Sequence, residues 1–348
     1  MKLNPLKIGN IIAKIPIIQG GMGIGVSGYR LASAVANENA IGIISAAQIG
    51  YKEPDFKVNP QKANIRALKS EIKKAREISP KGIIGVNVMV AMTQYDEMIK
   101  VALEEDVDLI ISGAGLPMNL PKLIEGHDIK IAPIVSSRKA VSIILRSWAK
   151  KYNRYPDFIV IEGPKAGGHL GFNKDKLSNK EDISLEKILQ DVIDEVNKYN
   201  KDIPIIAAGG IYDKEDIKRF LNLGASGVQM ATRFIATEEC DAHINFKNAF
   251  INCYKEDITL VKSPVGLPGR AIRNNFLNLV NNIENLKPNI CYNCIKFCDP
   301  GKTPYCISDA LINAVNGHVD DGLIFTGSNG YRINKIITVK ELIKELIE

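Results

Sequence analysis

Aromatic residues are scarce in this 348-residue chain, at 6% with one tryptophan, and aliphatic residues dominate the apolar fraction. That balance suits a buried parallel sheet flanked by helices better than a sandwich or a nucleic-acid module. Basic residues are not gathered with aromatics on one stripe, so no nucleic-acid partner is expected. The surplus of +6 comes from 45 basic and 39 acidic residues spread through mixed runs such as Lys69 to Glu77 and Lys340 to Glu348. Such runs read as solvated helix faces, and the modest positive field favours small anionic substrates. No apolar run approaches the roughly 18 residues of a membrane-spanning helix. The start, MKLNPLKIGNIIAKIPIIQGG, lacks the unbroken apolar core and cleavage site of a secretory leader. A soluble cytoplasmic protein is therefore the expectation, with a small-molecule substrate, no membrane partner and self-association left open. Six cysteines are too few for a disulfide scaffold at this length and point to reduced thiols or a metal site.

Against these absences stands a repeating pattern. Eight apolar segments read as strands: Ile15 to Gln19, Ala40 to Ser45, Gly82 to Asn87, Leu109 to Ser112, Ile129 to Ile134, Asp157 to Ile161, Ile203 to Ala208 and Gly227 to Met230. Apolar residues at helical spacing separate most of them, as in Tyr29 to Ala36, Ala63 to Ala75, Gln94 to Leu103, Lys139 to Trp148, Leu185 to Val196 and Asp213 to Leu221. The alternation predicts an α/β fold, a (β/α)8 TIM barrel, over residues 1–255. An open doubly wound sheet is the alternative, and a strand count of eight argues against it. Past residue 255 the pattern stops. The run SPVGLPGRAIRN reads as a Pro- and Gly-rich connection into a smaller C-terminal subdomain, 256–348, that ends in a helix, TVKELIKELIE. The polar stretch from Gly171 to Asp182 interrupts the sixth unit and reads as a surface excursion, a candidate lid.

In such a barrel the loops at the C-terminal ends of the strands gather at one mouth. DFIVIEGPKAGGHLGF, residues 157–172, joins a strand to a glycine-rich turn and places His169 where a small molecule would sit, with Gly163, Gly167 and Gly168 letting backbone come close to it. The loops after strands seven and eight often hold a phosphate. Here they carry Gly209 and Gly210, and Gln229, Met230, Ala231 and Thr232. The first strand ends in Gly20, Gly21 and Met22 and the third in Asn87, offering close backbone and an amide partner to a flat cofactor ring. Taken singly, each of these features is also compatible with a tight turn.

Together, QGGM, Asn87, EGPKAGGH, IPIIAAGGI and GVQMATRF followed by Glu239 and Cys240 resemble the nitronate monooxygenase family, formerly 2-nitropropane dioxygenases. That family shares its barrel with the FMN-dependent enoyl-acyl carrier protein reductases. The resemblance covers about the first 250 residues and implies FMN as cofactor. It places FMN contacts at Asn87, Glu162, Gly167, Gly210 and Gln229 to Thr232, and a catalytic role at His169. Three positions depart from the pattern: Glu162 where many members have Gln, Lys165 for a usual Glu, and Ala231 for Gly in the phosphate turn. Glu162 also occurs in the reductase branch.

Three functions follow from the resemblance. The first is oxidation of alkyl nitronates with molecular oxygen to carbonyl compounds and nitrite, His169 acting as base or hydrogen-bond donor with an ordinary pKa of about 6.5. The second is reduction of enoyl thioesters by NADH or NADPH. The third is a non-catalytic flavin-binding redox protein. A nicotinamide site need not be announced by a G-x-G-x-x-G turn, since the related reductases bind theirs without one. His127, His243 and His318 read as surface or packing residues, and Cys240 and Cys253 as buried thiols. Cys291, Cys294, Cys298 and Cys306, in CYNCIKFCDPGKTPYC, are candidates for zinc or an iron–sulfur cluster, with reduced packing thiols equally open.

Overall fold

The computed structural model describes residues 3–173, 175, 177, 183–199, 201–283, 286 and 290–348. Numbering strands in chain order, a short antiparallel hairpin of β1 (Leu6–Ile8) and β2 (Ile11–Ala13) precedes the barrel. Eight parallel strands then close on themselves: β3 (Ile17–Gln19), β4 (Ile41–Ser45), β5 (Ile83–Met89), β6 (Leu109–Gly113), β7 (Lys130–Val135), β8 (Ile159–Glu162), β10 (Ile205–Ala208) and β11 (Gly227–Met230). These are the eight segments expected from the sequence, each within a few residues. Ring closure comes from Val228, Gln229 and Met230 of β11 pairing with Ile17, Ile18 and Gln19 of β3.

Alternation along the strands sends Ile18, Ile41, Ile43, Leu109, Ile111, Phe158, Val160 and Ile206 into one buried apolar cluster inside the barrel. Leu6 and Ile8 join that cluster, so the hairpin plugs the end at which the strands begin. The outward strand residues pack under amphipathic helices such as Pro60–Ile78, Arg138–Tyr152 and Leu185–Asn197. Their starts are set by side-chain caps from Asn59, Ser137 and Ser184 to backbone N–H groups three residues on.

Region 256–348 does two things. Strands β12 (Ile258–Lys262) and β13 (Pro268–Ile272) form a hairpin that pairs with β9 (Gly168–His169), a two-residue strand in the loop after β8. The stretch read as a connection is thus partly strand: β13 folds back on β12 and also pairs Gly269 and Arg270 with His169 and Gly168, about a hundred residues earlier, a partner that local pattern cannot reveal. The closing helix, Val339–Ile347, carries the capping box of Thr338 and Glu341. It packs between the helices Tyr29–Asn37 and Lys214–Asn222, filling the outer position that follows β11. Most of the candidate lid, Gly171 to Asp182, lies outside the described residues. Among the described residues, no helix is long and apolar enough to cross a membrane.

Candidate active site

A cavity of about 470 Å³ opens at the C-terminal ends of the strands. Gly20, Gly21, Met22, Asn87, Glu162, Gly167, Gly168, His169, Gly209, Gly210, Gln229, Met230, Ala231 and Thr232 all line it. Loops far apart in sequence therefore meet at one mouth.

Glycine is required where the chain packs too closely for a Cβ or bends the left-handed way. A Cβ on Gly21 would lie 2.4 Å from the Asn87 Cβ, and one on Gly167 would lie 2.6 Å from the carbonyl carbon of Thr326. Gly209 and Gly210 sit at φ +94° and +90°, a conformation that L side chains rarely adopt. Ala231, by contrast, has φ −122°. An alanine fits there without strain, so the departure from the family's glycine leaves the turn intact.

His169 is held by β9 against β13, its residue paired with Gly269. Its Nε2 lies 2.7 Å from Ser263 Oγ, and its ring meets Phe325 edge-on at 4.9 Å. Burial disfavours the imidazolium and brings its pKa down to about 4. The ordinary value of 6.5 assumed from the sequence does not hold. The side chain is a neutral imidazole at physiological pH.

Glu162 ends β8 and faces the same cavity. Burial raises its carboxyl to about 8, against the opposing pull of Arg270. Arg270 donates to the carbonyls of Pro164, at 2.8 Å, and Ala166. The β13 arginine thereby anchors the loop that carries His169.

The residues Thr326 to Asn329 form a second element that sequence reasoning missed. Gly327 N–H donates to Thr232 Oγ1 at 3.1 Å, Ser328 N–H to the Lys165 carbonyl at 3.1 Å, and Asn329 Nδ2 to the Gly210 carbonyl at 2.7 Å. This strap ties together the loops after β8, β10 and β11. The GSN triplet at 327–329 is a weak loop signal and could only have been read as a turn.

The cysteine segment corrects another expectation. Among the described residues, no three His, Cys, Asp or Glu side chains converge as they would around a metal ion. Cys291 is exposed, while Cys294, Cys298 and Cys306 pack against apolar clusters. Zinc and iron–sulfur ligation by these four find no support here. Instead the segment folds over the mouth, with Met92 bridging to Ile295 and Thr93 N–H donating to the Cys294 carbonyl at 3.1 Å. Cys294 lines the cavity. Cys240 and Cys253 are buried, and His127, His243 and His318 are exposed.

A family model for nitronate monooxygenase matches residues 4–348. The chain belongs to the nitronate monooxygenase family. A probable nitronate monooxygenase of Staphylococcus saprophyticus is 26% identical, over 83% of this chain and 84% of that protein. A 5-hydroxy-7a-methyl-1-oxo-octahydro-1H-indene-4-carboxyl-CoA dehydrogenase of Rhodococcus jostii is also 26% identical, over 78% of this chain and 66% of its own length. FabK of Thermotoga maritima superimposes with a TM-score of 0.74 at 25% identity, covering 95% of this chain and 91% of that one. A nitroalkane oxidase of Streptomyces ansochromogenes shares the fold, with a TM-score of 0.73 at 20% identity, covering 95% and 94%. This member of the nitronate monooxygenase family is an oxidoreductase on a TIM barrel.

Proposed function

We propose that this nitronate monooxygenase family member is FMN-dependent and oxidises alkyl nitronates with molecular oxygen, giving a carbonyl compound and nitrite. The observation that carries the reading is a neutral, buried imidazole, His169, in the same cavity as two left-handed glycines and a glycine edge closed against Asn87.

The cavity fits such a cofactor by its own geometry. The turns at Gly209–Gly210 and Ala231–Thr232 would hold a phosphate, since both line the cavity and the two glycines have no side chain to cover their backbone. Gly20, Gly21, Met22 and Asn87 would border the ring, and Gln229 and Glu162 would face its polar atoms. FMN, when bound, supplies the electron acceptor for the substrate, and oxygen then takes those electrons.

The chain's own groups do the rest. Neutral His169 accepts the proton from the acidic carbon of a nitroalkane, or donates a hydrogen bond to a nitronate oxygen. Ser263 fixes the ring's direction through Nε2. Glu162, kept largely protonated near neutral pH, presents a donor to the cavity without adding a negative charge. Phe325, Leu323 and Val265, all from the region beyond residue 255, add apolar wall to the cavity.

Oxygen uptake and nitrite release by FMN-loaded protein supplied with propionate 3-nitronate or an alkyl nitronate test the proposal. Oxidation of NADH or NADPH by crotonyl thioester, without nitronate turnover, would replace it with the reductase reading. Bound FMN with neither turnover would leave the non-catalytic one.

A further inference from the structure

Across the mouth from His169 lies a second group of polar side chains that the proposed reaction does not use. His169 follows β8 and Gln48 follows β4, four positions apart in a ring of eight strands and so on opposite sides. Gln48, Asn64, Gln94, Cys294 and Ser308 all line the cavity there. Gln48 is 6% exposed and Ser308 1%.

Backbone groups fix which way these amides face. Gly50 N–H can only donate, and it does so to Asn64 Oδ1 at 2.9 Å. The Asn64 Nδ2 must then be the donor to Gln48 Oε1 at 2.7 Å and Gln94 Oε1 at 3.0 Å. Gln94 is anchored from its other end, since its Nε2 donates to the Gln61 carbonyl at 3.1 Å. With Oε1 taken, Gln48 has its NH2 left for the cavity side. Gln48 also holds φ at +45°, unusual for a residue with a side chain, and its amide is clamped in place by Asn64. The Ser308 hydroxyl is buried without a hydrogen-bond partner. An unpaired buried hydroxyl is costly in a chain that has no use for it. The Cys294 sulfur lies within hydrogen-bonding reach of both Gln48 and Ser308, a weak acceptor that a ligand oxygen would replace.

We propose that Gln48 and Ser308 form a recognition site for an uncharged oxygen acceptor, a carbonyl, amide or ester oxygen, on the part of the substrate remote from His169. The argument for an uncharged group is that the five side chains of this corner bear no cation, and a buried carboxylate would go uncompensated. A cationic group would meet donors rather than acceptors. The inference rests on the cavity being the substrate chamber of the proposed oxidoreductase, and it narrows the substrate to a bifunctional molecule: a reacting carbon at one end and a neutral acceptor at the other.

Calorimetric titration with three probes of similar length tests it: 2-heptanone, heptanoate and hexylammonium. Wild-type protein should bind the ketone, the carboxylate more weakly and the ammonium most weakly. Ser308→Ala removes an unpaired hydroxyl and should leave the thermal midpoint unchanged or higher while weakening ketone binding about fivefold. Gln48→Glu keeps the oxygen that Asn64 needs but removes the NH2, and should abolish the preference for ketone over ammonium. Circular dichroism of each variant separates misfolding from lost recognition. No ketone binding to folded wild type, equal binding of ketone and ammonium, or affinities unchanged in both folded variants would overturn the proposal. Repeating the titration with and without FMN separates the two readings. Protein that takes up no flavin yet keeps the ketone preference removes the flavin reading and not this one.

Discussion

The Nε2 of His169 and the Oγ of Ser263 approach to 2.7 Å although 94 residues separate them. Ser263 Oγ also accepts from the Val265 N–H at 3.3 Å, which fixes the hydroxyl beside the imidazole and, through it, the direction of the ring. Ser263 is thus a positioning residue, acting through the ring. Ser263→Ala should lower kcat by about fivefold to tenfold with KM little changed, the scale of one lost hydrogen bond. Ser263→Thr should restore most of the loss. Equal loss in both variants would point to packing instead.

His169 itself carries a larger effect. His169→Ala should retain FMN, read from the absorbance of the purified protein, and lose turnover by about 100-fold or more. Its pKa near 4, set by burial, also fixes the pH behaviour. The wild-type rate should pass through pH 6.5 without a His titration and fall only towards pH 4. Stability follows the same window. Below the unfolded value of about 6.5 the unfolded chain takes up a proton that the folded chain refuses, so this contribution is lost as pH falls from 6.5 to 4. A rate that halves near pH 6.5 in step with His169 protonation, followed by NMR, would contradict this.

The barrel was legible because its signals are local. Each of β3 to β8, β10 and β11 is a short apolar run, and helical spacing between them needs no knowledge of partners. The glycines around His169 and at Gly209–Gly210 were legible for the same reason, since left-handed turns leave a mark in the sequence itself. What escaped notice depends on distance along the chain. The pairing of His169 with Gly269, the strap from Gly327 to Thr232, and the clamp of Asn64 on Gln48 join residues whose neighbours give no hint of them. The spacing of Cys291, Cys294, Cys298 and Cys306 suggested ligation because sequence shows proximity and not direction. In the fold the segment is a cover over the mouth, and only Cys294 of the four lines the cavity.

Glu162 should make the apo-protein sensitive to alkali. Burial raises its carboxyl from 4.5 to about 8, so between those values the folded chain holds a proton that the unfolded chain has released. The contribution is full below pH 4.5 and is lost as pH rises through 8. Glu162→Gln cannot ionise and should close this gap, melting higher than wild type at pH 8.5 and no higher at pH 4.5. FMN affinity, measured by fluorescence titration, should fall above pH 8 in wild type and stay level in the variant if the protonated carboxyl donates to the ligand. Parallel melting curves at both pH values would remove Glu162 from this role.

The strap links the C-terminal region directly to the glycine turn after β10 and to Thr232 after β11, the turns proposed to hold the cofactor. Asn329 Nδ2 holds the Gly210 carbonyl at 2.7 Å, and Gly210 sits at φ +90°, so the side chain restrains a turn whose glycine has wide conformational freedom. Asn329→Ala should free that turn, at a cost on the order of 1 kcal/mol in FMN binding, or about fivefold to tenfold in Kd. Gly167→Ala acts on the same junction more severely. Its Cβ would fall 2.6 Å from the Thr326 carbonyl carbon and 2.7 Å from the Gly327 nitrogen, forcing strap and loop apart. The expected order of FMN affinity, measured by fluorescence quenching, is therefore wild type, then Asn329→Ala, then Gly167→Ala. If both variants bound FMN as wild type does, the cofactor turns would be set by the barrel alone and the strap would have no part in holding them.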